Sequence, residues 1–489
     1  MKLSKITREL FFVCVALPLL VSFASKASAE KPNIILIMVD DLGKEWVGSY
    51  GAEGIKTPNI DQLAAGGLQF NNVYCMPQCT PTRLTLLTGQ YPFRHGWVNH
   101  WDVPRWGGGC SYDPNKNPAI GKLIRNAGYK TACAGKWQID DFRQEPDAMK
   151  AAGFDRWCMW TGYEAKNPPS GKRYWDAYLY TNDGSKTYKD EFGPDKFTEF
   201  MVDFIRESKD DPFFLYFPMA LTHGPLVPTP DDPDAKETME KHRAMVRYTD
   251  AILGKIVAEL EKQKIRDNTI IIWTTDNGTS RGIRGSIDGK EIRGGKAQVT
   301  ENGICVPFIV NCPKLVPRGK KTDALADFTD LLPTLVEIAG GKVTDKHAID
   351  GKSFADVVLG KSVDSKRDWI MSMGGRNEAR LSDRGVENKY WFRDRVLRDK
   401  RFKLYVGTNR KPEKLFDLQK DPFEANNLIE SQDKMHRDAI NKLFAPIAKM
   451  PTRDNDPVYE PLPHKDWYRV PKVKSQTWKT GYPGKAPKN

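Results

Sequence analysis

The sequence predicts an α/β fold: a large, mostly parallel sheet sandwiched by helices, followed by a smaller C-terminal α+β subdomain. Three observations predict it. Residues 33–39 (NIILIMV) and 269–275 (TIIIWTT) are apolar runs of strand length, as strands buried on both faces require. Segments with helical spacing alternate with further short apolar runs, the pattern of parallel strands joined by crossover helices. From about residue 364 the alternation gives way to closely spaced strand-like runs and one helix.

The elements follow in chain order. Residues 1–29 read as a signal peptide. Lys2, Lys5 and Arg8 precede an apolar stretch over 10–24, and Ala27-Ser28-Ala29 is a small-residue cleavage site. The stretch is short for a span and is interrupted by Pro18 and Ser22, so a cleaved leader is expected and no stable membrane anchor. The mature protein is expected to be exported, periplasmic or secreted. The residues before Cys14 form no lipidation box. The large domain is placed at 30–363. Within it, helices are expected over 57–66, 119–127, 196–207, 241–262 and 325–339, the last closed by Gly340-Gly341. Strands are expected at 130–134, 213–219 and 307–310. The subdomain, 364–450, is read as strands at 369–373, 390–396 and 401–406 and a helix over 433–447. Residues 451–489 form a basic, Pro-rich tail without periodicity, read as a surface loop or disorder.

The 489 residues carry a formal charge of +12, which falls to +9 once Lys2, Lys5, Arg8, Lys26 and Glu9 leave with the leader. That excess suits polyanions such as sulfated glycans. Nucleic acid is not expected, because no zinc-finger spacing or RNA-binding motif is present and export argues against it. Seven cysteines remain: Cys75, Cys79, Cys110, Cys133, Cys158, Cys305 and Cys312. Their spacing defines no pairing, and Cys133 and Cys305 sit in apolar contexts that suit buried free thiols. Cys75-x3-Cys79 has no second ligand pair, so zinc is not expected.

Asp40-Asp41 directly follows the first apolar run, and Asp276-Asn277 directly follows the second. In a parallel sheet both pairs lie at strand carboxyl ends, where ligands bind. Either pair alone reads as an ordinary turn. Together they offer three carboxylates and an amide oxygen, a hard donor set that suits Ca²⁺ or Mg²⁺. Asn277-Gly278-Thr279 matches a glycosylation site that a metal-facing amide would leave unused. Between the pairs lies Cys79-Thr80-Pro81-Thr82-Arg83, running into Leu84-Thr85-Leu86-Leu87-Thr88-Gly89. Pro81 suits the first position of a helix, which places Cys79 just before its positive end, beside a guanidinium. Lys136 and His223 follow strand-like runs, and Lys296 lies in a Gly-Gly-Lys loop.

Together these motifs resemble those of the type I sulfatases, the formylglycine-dependent, arylsulfatase-like branch of the alkaline phosphatase superfamily, over nearly all of residues 32–450. The resemblance rests on Asp40-Asp41, Cys-x-Pro-x-Arg with Leu-Thr-Gly, Gly135-Lys136-Trp137, His223, Asp276-Asn277-Gly278 and Gly294-Gly295-Lys296. The late runs Asp330-Leu331-Leu332-Pro333-Thr334 and Leu415-Phe416-Asp417-Leu418 also belong to it. It implies an alkaline phosphatase-like fold and a sulfuric ester hydrolase acting on a sulfated small molecule or glycan. It also implies that Asp40, Asp41, Asp276, Asn277 and residue 79 surround Ca²⁺, with Mg²⁺ an alternative. Cys79 would be oxidised to formylglycine by a maturation enzyme. Arg83 and Lys136 would hold its hydrate, and Lys136, His223 and Lys296 would contact the sulfate. The hydrate offers two hydroxyls on one carbon, one to attack sulfur and one whose deprotonation expels sulfate.

Gln138 departs from the family, where His often follows Lys-Trp and serves as a base. Asp140 and Asp141 are nearby substitutes, and His95 is expected to be structural. The departure keeps a catalytically impaired, glycan-binding pseudo-sulfatase among the readings. A phosphonate or phosphate ester hydrolase of the same superfold is the other. Trp97, Trp101, Trp106 and Trp160 suit either sugar stacking or the core.

Overall fold

The structure is a computed structural model, which describes residues 31–98, 112–140, 142, 145–160, 173–344, 346–374, 379–382 and 385–456. The expected leader, Trp101, Trp106, Cys110, Asp141 and the tail beyond 456 lie outside the described residues.

Strand β1 (Asn33–Val39) is buried along its whole length, and its side chains alternate between two cores. Ile34, Leu36 and Met38 enter one apolar cluster, and Ile35, Ile37 and Val39 enter the other. A period of two on a strand covered on both faces produces this division. Helix α1 (Pro58–Ala65) leads to β2 (Leu68–Tyr74), a strand that the sequence reading missed because Gln69, Asn71 and Asn72 break its apolar pattern. Helix α2 (Cys79–Thr88) and the short α3 (Pro92–His95) follow. Next come α4 (Ile120–Asn126), β3 (Lys130–Lys136), the single turn α5 (Ala148–Ala151) and β4 (Arg156–Trp160). The edge strands β5 (Tyr178–Thr181) and β6 (Gly184–Thr187) precede α6 (Gly193–Ser208) and β7 (Phe213–Pro218). The long α7 (Thr238–Lys262) feeds β8 (Thr269–Thr275). A hairpin, β9 (Arg284–Ile287) and β10 (Lys290–Arg293), stands between β8 and the turn α8 (Glu301–Ile304). Strands β11 (Cys305–Asn311), β12 (Lys320–Thr322) and β13 (Ala326–Asp327) complete an eleven-stranded sheet.

Strands β8, β1, β7, β3 and β4 are mutually parallel. Strand β11 runs antiparallel to both β8 and β2. Its amino end therefore sits at the carboxyl edge of β8. The same reversal leaves β2 running with β8, so the exits of β1, β2, β3, β7 and β8 share one edge with the entry to β11. Every segment expected to carry chemistry joins the sheet along that edge.

The helix expected over 325–339 is shorter than its apolar pattern. Ala326–Asp327 pairs with β2, and Asp327 and Asp330 form a capping box before α9 (Leu331–Ile338). The single turn α10 (Ala355–Val358) leads to the smaller sheet. In that sheet β14 (Ile370–Met373) pairs antiparallel with a later strand, while β15 (Ala379–Ser382) and β16 (Gly385–Asn388) form a separate hairpin. Strands β17 (Arg395–Arg398), β18 (Phe402–Val406) and β19 (Pro412–Asp417) complete its antiparallel order, and α11 (Lys434–Ala448) covers it. The strand expected at 390–396 begins only at Arg395. Asp454 takes up the backbone before it, accepting from Arg393 N–H at 2.7 Å and donating its own N–H to Trp391 O at 2.6 Å. The start of the tail is therefore bound: Asp454 is buried and pairs with the guanidinium of Arg395. The subdomain core contains Met76, Tyr91 and Phe93, the residues flanking α2, so the smaller sheet braces that helix. No helix among the described residues is long and apolar enough to cross a membrane.

Candidate active site

Helix α2 is the centre of the site. Cys79 is its first residue and Pro81 its third, two places further in than expected from the sequence. Proline is tolerated there because the first four N–H groups of a helix have no intrahelical acceptor. All ten residues of α2 are buried. The Thr82 hydroxyl lies 2.9 Å from the carbonyls of both Met76 and Gln78 and accepts from Met76 N–H, which fixes the approach to Cys79. Gly89, in the left-handed region at φ 67°, ends the helix and returns its N–H to Thr85 O.

The strand exits bring their polar residues to Cys79. Ligand atoms of Asp40, Cys79 and Asp276 lie within 4.8 Å of one another. Arg83 donates to Asp276 Oδ2 at 2.6 Å and to the carbonyl of Lys136 at 2.8 Å. Lys136, fully buried, donates to Asp40 Oδ2 at 2.5 Å. Gly135 before it has φ 122°, and a Cβ there would stand 2.1 Å from Pro218 O, so glycine lets β3 and β7 close around the lysine. Asn277 donates to Asp41 Oδ1 at 2.8 Å, and Lys296 reaches Asp41 Oδ2 at 2.7 Å. His223 Nε2 lies 3.8 Å from the same Asp41 oxygen, and about a quarter of the His223 side chain is exposed. All nine residues singled out in the sequence therefore meet at one edge of the sheet.

The oxygen donors fit a hard cation. Among the described residues, Asp40 Oδ1 and Asn277 Oδ1 are buried without a hydrogen-bond partner, an arrangement that proteins ordinarily avoid. Burial pushes Asp41 up to about 6 against the pull of Lys296. Burial, with repulsion from Asp40, raises Asp276 well above the carboxylate range. Burial would also raise Asp40, but the cations Lys136 and Arg83 outweigh it and hold this carboxyl well below its ordinary value. A divalent cation among these oxygens would relieve both the repulsion and the two orphaned acceptors. Burial, Lys296 and Arg173 push His223 well below its ordinary value and keep it neutral.

Several neighbours carried no sequence signal. Arg173 contacts His223 Nδ1 and stacks on Trp160, with its guanidinium carbon 4.4 Å from the ring centroid. Tyr174 donates near the carbonyls of Ala220 and His223. Nothing in Arg173-Tyr174-Trp175 distinguishes these residues from ordinary core. Cys79 Sγ lies 3.4 Å from Gln138 Oε1. Asp140 is a poor substitute base, since its two oxygens accept from Tyr112 N–H and from the Trp137 indole. His95 is buried between Thr85 and the N–H of Trp97, the structural place expected for it. Trp97 belongs to the core, and Trp160 is buried beneath Arg173. Cys75, Cys133, Cys158, Cys305 and Cys312 are buried free thiols.

The family model described as sulfatase matches residues 32–341, and the model described as N-sulphoglucosamine sulphohydrolase, C-terminal, matches residues 295–451. The N-acetylgalactosamine-6-sulfatase of Homo sapiens is 30% identical over 362 residues, covering 68% of this chain and 67% of that one. The N-acetylgalactosamine-6-O-sulfatase of Bacteroides thetaiotaomicron is 27% identical, covering 87% of this chain and 94% of that protein. The crystal structure of Ps i-CgsB superposes with a TM-score of 0.72 at 27% identity, covering 86% of this chain and 94% of that one.

Proposed function

The chain belongs to the sulfatase family and is a sulfate ester hydrolase, and we propose that it cleaves sulfate esters of carbohydrates through a formylglycine made from Cys79 beside a Ca²⁺ site. The observation that carries the reading is the convergence of Asp40, Asp276 and Cys79 within 4.8 Å. The carbohydrate class is supported by the sugar sulfatases among its relatives and by the net positive charge.

Asp40, Asp41, Asp276 and Asn277 would hold the cation, which supplies Lewis acidity towards the sulfate oxygens and the nucleophile; Mg²⁺ suits the same donors. Formylglycine supplies, as its hydrate, one hydroxyl to attack sulfur and a second to release the sulfate. Arg83 sits one helical turn from residue 79 and holds both Asp276 and the Lys136 carbonyl, which fixes the floor on which the nucleophile stands. Lys136 and Lys296 place two ammonium groups where charge develops on the sulfate. Despite its burial, the pair with Asp41 keeps Lys296 protonated. With His223 neutral, Lys296 is the group carrying a proton for the leaving alkoxide. His223 orients that oxygen. The chain would reach its substrate after export, cleavage near Ala29 and conversion of Cys79 by a maturation enzyme.

The test joins two measurements on natively expressed protein: the mass of the peptide spanning residue 79, and turnover of sulfate and phosphate esters of one alcohol. Conversion of the thiol to an aldehyde, sulfate release well above phosphate release, and loss of turnover in Cys79→Ser without a change in melting temperature are expected. An active enzyme with an unmodified thiol, or sustained turnover by Cys79→Ser, would overturn the nucleophile. A preference for the phosphate ester would overturn the substrate class.

A further inference from the structure

We propose that Glu45, acting through the hydroxyl of Thr279, is a positioning residue that holds the two acidic strand exits in register around the cation. The inference rests on the metal reading above. Thr279 lies two residues beyond Asn277, and Gly43 lies two residues beyond Asp41. The Thr279 hydroxyl accepts from the Gly43 N–H at 2.8 Å and donates to Glu45 Oε1 at 2.5 Å. One hydroxyl therefore ties the loop after the first acidic pair to the loop after the second. It does so at the same distance along the chain from each pair. The pairs also meet directly: Asp41 N–H reaches Asp276 Oδ1 at 3.2 Å and the Asn277 amide donates to Asp41 Oδ1 at 2.8 Å.

Glu45 is built in rather than laid on the surface. It is 2% exposed. A Cβ on Gly43 would lie 2.1 Å from its carboxylate, and a Cβ on Gly285, in β9, would lie 2.6 Å from its Cγ. Two glycines thus make room for this one side chain. Among the described residues it has no ion-pair partner, and a buried carboxyl in that state is destabilising by itself. A group retained at such a cost, bridging two ligand loops, fits the outer-shell partners that orient metal ligands.

The test is calorimetric titration of Ca²⁺ into the full-length protein after chelator treatment, alongside the melting temperature of the metal-free form. Thr279→Val keeps the shape and removes the hydroxyl. It is expected to weaken Ca²⁺ binding by roughly 10- to 100-fold, as is Glu45→Ala. Thr279→Ser and Glu45→Gln keep the bridging hydroxyl and the acceptor, and both are expected to bind within about threefold of the wild type. Should Glu45→Ala fail to fold, the Val and Ser variants at 279 decide the matter. Ca²⁺ affinity within twofold of the wild type in Thr279→Val would overturn the positioning role while leaving the metal site intact. A wild type that binds no Ca²⁺ would overturn the metal reading and this inference with it.

Discussion

The thiol of Cys79 lies 3.4 Å from the amide oxygen of Gln138, and Gln138 holds a left-handed backbone conformation at φ 59°. An amide cannot take up a proton, so Gln138 is not a base for the nucleophile. Asp140 and His95 are committed to other partners.

Histidine at 138 should therefore accelerate turnover. Left-handed backbone is tolerated by histidine, and a positioned base contributes on the order of 10²-fold or more. Gln138→His is expected to raise kcat and to add a dependence on a group titrating near the ordinary histidine value, about 6.5. Steady-state rates against pH check this. An unchanged or lower kcat would mean that the proton leaves by another route.

Lys296→Ala should lower kcat/KM by roughly 10²-fold, the loss typical when one charge-stabilising donor is removed. The deficit should be smaller for esters whose alcohols leave readily as anions, since these need no proton. Rates for a series of aryl sulfates would show it. A uniform loss across the series would assign Lys296 to binding alone.

His242 is buried against Trp46 with neither ring nitrogen hydrogen-bonded among the described residues, and burial pushes it down to about 3. Its stabilising neutral form is retained above about 6.5, where the unfolded chain is also neutral. It is lost progressively as pH falls towards 3, because the unfolded chain binds the proton first. His242→Leu is expected to be near-neutral or stabilising by about 1 kcal/mol at pH 7. Its advantage should widen by about 1.4 kcal/mol per unit below pH 6. Denaturant melts at several pH values measure the difference, and a pH-independent gap would contradict it.

Arg395 and Asp454 form a buried pair at 2.7 Å. Asp454→Ala should destabilise the protein by about 3 kcal/mol, because it leaves a buried guanidinium unpaired. The double variant Arg395→Met, Asp454→Leu should recover part of the loss. Equal instability of the single and double variants would place the effect in the backbone contacts of Asp454 instead.

Five of the eleven strands, the contiguous β11, β8, β1, β7 and β3, and the position of both acidic pairs at strand exits were legible in the sequence, for a physical reason. Parallel strands covered on both faces must be apolar throughout, so β1 and β8 announce themselves, and the polar residues that interrupt them mark the ligand edge. Helix α11 and strand β18 are legible in the same way from periodicity. Strand β2 was not, because Asn71 and Asn72 bond to Asp323 and its backbone at the sheet margin rather than to the core. The early end of the 390–396 strand depends on Asp454, about sixty residues away, and no local pattern encodes such a partner. Glu45 illustrates the limit for the site. In Gly43-Lys44-Glu45-Trp46 it reads as a solvated loop acid, and only the packing of Gly285 against it reveals otherwise.

The reversed direction of β11 has a consequence for how this architecture can diversify. The excursion between β8 and β11 leaves and re-enters at one place, where Lys296 N–H meets Thr279 O at 3.0 Å and Gly278 N–H meets Gly303 O at 3.0 Å. Those two clasps close the neck of the β9–β10 hairpin beneath its tip. Beyond Gly285, the turn that joins β9 to β10 can lengthen or shorten while Asn277 and Lys296 keep their places. The far end of the hairpin is thus its variable part, while its base, where Gly285 packs on Glu45, stays tied to the chemistry.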